Sequence, residues 1–126
     1  MDFQTEAAAG NVSAVIGDKA ISYDREQRRL GMVYAAEKAL KEVENDPESI
    51  MAFDAYSNGV NAYISTLTES SVPIEYKLLD YQPNKWSNLK TALLLKMMAK
   101  MLSSGTENDM VNTNAKSLFS MDEFKM

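Results

Sequence analysis

The sequence predicts an all-α protein of five to six helices, packed as an irregular orthogonal bundle. Three observations carry that expectation. Apolar residues recur at spacings of three and four along most of the chain, and few runs alternate with a period of two or are bounded as strands should be. All three prolines, together with Gly17 and Gly105, fall where one periodic segment stops and the next begins. The third is scale: 126 residues, 45% of them hydrophobic, suit one domain that buries a core, here expected over residues 1–126 without internal repeat.

In chain order, Phe3 to Ile16 is Ala-rich and stops at Gly17, a natural residue to follow a helix C-terminus, with Gly10 marking a kink or a close helix approach. Asp24 is placed to cap a second helix on which Leu30, Val33, Ala36, Leu40 and Val43 form one apolar face. Asp46-Pro47-Glu48 reads as N-cap and first turn of a third, apolar at Ile50, Phe53, Tyr56, Val60, Ile64 and Leu67. Pro73 and Pro83 bracket a short turn of helix or extended chain at Glu75–Leu79. Ser87 caps the next helix, Asn88 to about Ser103, which is apolar around most of its circumference and so belongs in a core or under a partner. After Ser104-Gly105 a weaker helix runs from about Glu107 to Phe119.

Composition removes whole classes of chemistry. There is no cysteine and no histidine, which excludes disulfides, thiolate or imidazole metal sites, a cysteine nucleophile and a Ser-His-Asp triad. A metal would have to be a hard, oxygen-liganded ion such as calcium or magnesium. Carboxylates are the remaining acid–base groups, and pairs such as Asp24/Glu26 and Asp122/Glu123 read as solvated helix faces. The net charge of −5 sets up no basic field for nucleic acid. Lys77, Lys85, Lys90, Lys96 and Lys100 are scattered in a way that suits a solvated face, and Arg28-Arg29 suits salt bridges with Glu26 or Asp24. The longest apolar stretch, Ala92–Leu102, is broken by Lys96 and Lys100 and falls well short of the ~20 residues of a membrane span. No signal peptide is visible, and both ends read as if cut from a longer chain.

Two stretches stand out. In Tyr56-Ser57-Asn58-Gly59-Val60-Asn61-Ala62-Tyr63-Ile64, a glycine inside a helix costs about 1 kcal/mol relative to alanine, which a close helix crossing at Gly59 and an Asn61 bond to a neighbouring backbone would offset. In Tyr81-Gln82-Pro83-Asn84-Lys85-Trp86-Ser87, the only tryptophan precedes a helix cap, where a large ring bridges two elements. With Pro73-Ile74-Glu75-Tyr76-Lys77-Leu78-Leu79, where Val72 stands in place of the usual leucine, these motifs resemble, in order, the α-chain of the penicillin acylase (penicillin amidase) family. Ala7-Ala8-Ala9-Gly10 and Asp24 through Arg28-Arg29-Leu30-Gly31-Met32 resemble its upstream helices, so the likeness covers about Met1 to Phe119.

The resemblance implies an N-terminal-nucleophile amidohydrolase, exported to the periplasm or beyond and cleaved from one precursor into an α-chain and a β-chain. The β-chain's first residue, usually serine, attacks an amide carbonyl with its own α-amine as base. Residue 1 here is Met1, so the nucleophile and the αββα core are expected on the absent β-chain, the partner of this chain, and the chain alone is expected to be inactive. The resemblance further implies that Met98, Met101 and Leu102 form one wall of the acyl pocket for an N-acyl amide substrate. Well-known members have arginine and phenylalanine where this chain has Met101 and Leu102, which favours a flexible aliphatic acyl group over a flat aromatic one. It also implies a structural calcium in the full enzyme, with Glu107 as the matching ligand and Asp109 next. The alternative is a free-standing protein-interaction module that uses the Met-rich face around Met97, Met98, Met101 and Met110 as a groove.

Overall fold

Helices form where the apolar spacing predicts them, and glycines divide them more finely. The computed structural model describes residues 2–103 and 106–118, apart from the side chains of Thr106, Glu107 and Ser117. The elements are α1 (Asp2–Ala9), α2 (Ser13–Ile16), a 3-10 turn (Gly17–Ala20), α3 (Ile21–Arg29), α4 (Met32–Glu44), α5 (Pro47–Thr66), α6 (Ile74–Leu78), α7 (Asn88–Leu102) and α8 (Thr106–Leu118). The described residues contain no strand, so the protein is all-α as expected. Six of the helices, α1, α3, α4, α5, α7 and α8, are eight residues or longer.

The expected first helix is two helices. Gly10 takes a left-handed φ of +69° and turns the chain after α1. The second expected helix is likewise split into α3 and α4 by Gly31, at φ +67°. Asp24 therefore lies inside α3 and does not cap it. Its carboxylate instead reaches back to the start of α2 and accepts from the Val12 N–H at 2.9 Å and the Ser13 N–H at 2.8 Å. Arg28, one turn further along α3, makes no ion pair with Asp24 or Glu26. Its Nε donates to the Gly10 carbonyl at 2.8 Å and its Nη2 to Asn11 Oδ1 at 3.0 Å. The two residues clasp the Gly10–Ser13 hook from one face of α3, so Asp24 is buried rather than solvated.

That clasp is acid-sensitive. Burial pushes the Asp24 carboxyl up, but the bonds from Ser13 and Val12 and the Arg28 charge together hold it below its ordinary value. A carboxyl lowered on folding stabilises fully above its unfolded pKa, about 4, and loses that contribution as pH falls through the folded value. Asp24→Asn is therefore expected to lower the urea midpoint at pH 7 and to flatten its decline below pH 4. A variant with the wild-type decline would remove Asp24 from the acid transition.

α5 opens as its sequence predicts, with Asp46 accepting from the Ser49 N–H and Pro47 in the first turn. Asn61 makes the expected backbone bonds, to Trp86. Gly59 does not sit at a crossing: a Cβ built there meets nothing within 4 Å. Residues two apart on a helix point about 200° away from each other, so the face that seats Asn61 leaves Gly59 on the opposite side.

The core is thin and built from small residues. Ala8, Met32, Ala36, Ala92 and Leu93 form its centre, with Leu40, Phe53, Leu89 and Met97 packed around them, and Ala7, Val12 and Ala20 form a second cluster beneath the hook. α7 lies chiefly on α4 and also contacts α1 and α5. No described helix is long and apolar enough to cross a membrane.

Candidate functional site

α7 has two apolar sides. One turns inward, where Ala92 and Leu93 are buried and Met97 is half-buried. The other carries Leu95, Met98, Met101 and Leu102, exposed at 59%, 51%, 64% and 84%. Met98, Met101 and Leu102 thus form one continuous, largely exposed stripe at spacings of three and four.

Around the edge of that stripe runs a groove of about 370 Å³, lined by Ala8, Tyr23, Gln27, Met32, Met97, Lys100 and Met101. Of the residues singled out from sequence, Met101 lines it, while Met98 and Leu102 lie outside on the exposed side. Met97 of the Met-rich face lines it too, whereas nothing in the sequence assigns Ala8, Tyr23, Gln27, Met32 or Lys100 to it. Those residues come from α1, α3, α4 and α7, and no spacing rule connects Ala8 to Met101. A larger cavity of about 560 Å³ lies between the α5–α6 connection and α6, lined by groups such as Glu69, Lys77, Asp80 and Tyr81. None of the expected site residues lines it.

The Glu107 side chain lies outside the described residues, and Asp109 is exposed on α8. Among the described residues no group of three or more carboxylates converges as a metal site would require. The donor set for calcium is not assembled by these residues alone.

A polar constellation at Lys90, where the sequence suggests a solvated lysine, and the Trp86 ring tie α7 in place. At its first turn, Lys90 is largely buried and its Nζ pairs with Asp2 Oδ1 at 2.6 Å and Glu6 Oε1 at 3.5 Å. The Tyr76 hydroxyl and the Asn84 N–H approach the other Asp2 oxygen at 3.4 and 3.5 Å. Burial, then the charge of Asp2, pushes the phenol of Tyr76 well above its usual range, and Tyr81 is raised for the same reasons. Both phenols therefore stay protonated wherever the protein is folded at ordinary pH, and Tyr76 serves as a donor. Just before α7, Trp86 is 3% exposed and packs on α5, edge to the Tyr56 ring.

Together these features define a helical scaffold whose outward product is an apolar helix end, held at its other end by buried polar bonds. Residues 1–125 match the family model described as penicillin amidase, and the chain belongs to that family of hydrolases. A search of curated proteins finds no match.

Proposed function

We propose that this chain is the helical part of the α-chain of a penicillin-acylase-like amidohydrolase, exported and processed from a longer precursor, and that α7 supplies one wall of its acyl pocket. The supporting observation is the exposed Met98–Met101–Leu102 stripe. A helix that is apolar on both sides, with one side packed and Leu95, Met98 and Leu102 largely exposed on the other, is built to be covered. Family membership favours this over a free-standing interaction module, which the same stripe would otherwise suit.

In the reaction the amide C–N bond of a linear N-acyl amide breaks. The acyl carbon passes to the N-terminal serine of the β-chain, the proton of that hydroxyl goes by way of its α-amine to the leaving amine, and water then frees the acid. This chain's share is binding. The stripe takes up the acyl tail, and its unbranched methionines fill irregular volumes by changing rotamer, which favours flexible aliphatic tails. Lacking histidine and cysteine, it offers no activated side-chain nucleophile of its own.

The test enlarges the wall. In the full-length enzyme Leu102→Phe should shift kcat/KM among aliphatic and phenylacetyl anilides by about 10-fold, as pocket changes of one or a few methylenes do. The purified 126-residue chain should hydrolyse none of them. Equal loss for every acyl group, no change, or hydrolysis by the isolated chain would reject the reading.

Glu107 belongs to the same proposal as a calcium ligand that acts only in the assembled enzyme. One carboxylate, even with Asp109 near, supplies too few of the roughly 6–8 oxygens that calcium takes. Calorimetry on this chain should show no tight calcium uptake. Micromolar binding would mean that the ligand set is complete without the β-chain.

A further inference from the structure

We propose that Asn61, supported by Ser57 and Asp54, is a positioning residue that sets the rotation and axial register of α7, and through them the acyl selectivity of the pocket wall. The inference rests on the reading of α7 as that wall.

Asp54, Ser57 and Asn61 follow one another at spacings of three and four on the inner edge of α5, and each meets the start of α7. Asn61 makes a reciprocal pair with a single backbone residue: its Oδ1 accepts from the Trp86 N–H at 2.8 Å, and its Nδ2 donates to the Trp86 carbonyl at 3.0 Å. The Ser57 hydroxyl donates to Asn88 Oδ1 at 2.6 Å, and Asn88 Nδ2 donates to Asp54 Oδ1 at 2.6 Å. Four directional bonds thus converge on Trp86 and Asn88, the residues on either side of the Ser87 cap.

The apolar contacts of α7 supply only part of that definition. Its buried face, Ala92 and Leu93, meets Ala8, Met32 and Ala36, and the three alanine methyls among these offer few knobs to resist turning or sliding. The rest comes from directional bonds at the N-terminal end, where the α5 seam fixes Trp86 and Asn88 and the Lys90 pairing with Asp2 and Glu6 holds the first turn to α1. Leu102 stands fourteen residues beyond Asn88, about 21 Å along a rigid helix, so a small rotation at the seam changes which of Met98, Met101 and Leu102 faces the acyl tail.

The experiment uses the full-length enzyme and butanoyl, octanoyl and phenylacetyl anilides, with kcat/KM referred to titrated active sites. Asn61→Ala should change the ratio among these substrates by about 5-fold or more, since displacements near 1 Å are enough for large effects on rate. Ser57→Ala, which removes one bond and leaves the Asn61 pair, should move the ratio in the same direction by less, and it stands in if Asn61→Ala fails to fold. Thr91→Val is the control: it removes the acceptor of the Trp86 Nε1–H bond within the α7 end itself, leaving the α5 seam intact, and should lower stability with the ratio unchanged. Seam variants that lose stability but keep the wild-type ratio, or a Thr91→Val ratio that moves equally, overturn the proposal. If Leu102→Phe shifts selectivity and the seam variants do not, only this inference fails. If Leu102→Phe shifts nothing, the pocket reading fails and this inference falls with it.

Discussion

Trp86→Ala is expected to cost roughly 3–5 kcal/mol, the range for removing a buried large aromatic side chain, and so to lower the melting temperature by about 10–20 °C in a chain of this size. The ring is the largest side chain in the buried set and sits where α5, the α6–α7 connection and α7 meet. Its edge-on contact with Tyr56 has ring centres 6.2 Å apart, its Nε1–H donates to Thr91 Oγ1 at 2.9 Å, and the Lys90 ammonium lies 5.9 Å from its centre. Trp86→Phe keeps most of the packing and forfeits the Nε1–H bond, for about 1–2 kcal/mol. Urea midpoints of the two variants separate packing from hydrogen bonding. Equal, small losses would mean that the ring contributes little beyond its polar end.

The parts of this fold that sequence reveals are those whose signal is local. Asp46 and Pro47 announce α5 within four residues, and Ser87 announces α7, because a cap and its partner N–H are neighbours in the chain. The apolar spacing of Met98, Met101 and Leu102 is local in the same sense. The Asn61 bond was legible because a polar side chain on a helix face otherwise apolar must find a partner. What sequence hides is decided by residues far away. Asp24 looks like a cap for its own helix until Gly10 bends the preceding chain into its reach. Lys90 looks like one of several solvated lysines, and only the return of α1, eighty-eight residues earlier in sequence, gives it Asp2. The same holds for the groove beside α7, whose lining is drawn from four helices. Gly59 is the opposite case: a glycine inside a helix reads as a close crossing, a contact that the described chain does not make.

The glycines also provide the second large effect. Gly10→Ala is expected to destabilise by about 3 kcal/mol or more, whereas Gly31→Ala should cost only the ~1–2 kcal/mol of a left-handed backbone carrying a Cβ. The two positions have nearly the same φ, +69° and +67°, so the dihedral penalty is common to both. Their surroundings differ. A Cβ at Gly31 meets nothing within 4 Å, while one at Gly10 would lie 2.6 Å from the Asp24 carbonyl oxygen and 2.8 Å from Arg28 Cγ. The first of those atoms is backbone inside α3 and has no rotamer by which to withdraw. Relief therefore requires α1 and α3 to move apart, and that separation stretches the Arg28 bond to the Gly10 carbonyl and the Asp24 bonds to Val12 and Ser13 together. Loss of the clasp should be cooperative, so Gly10→Ala combined with Asp24→Asn should destabilise by clearly less than the sum of the two single changes. Additive losses in that double-mutant cycle would show that the close approach at Gly10 and the carboxylate clasp act independently.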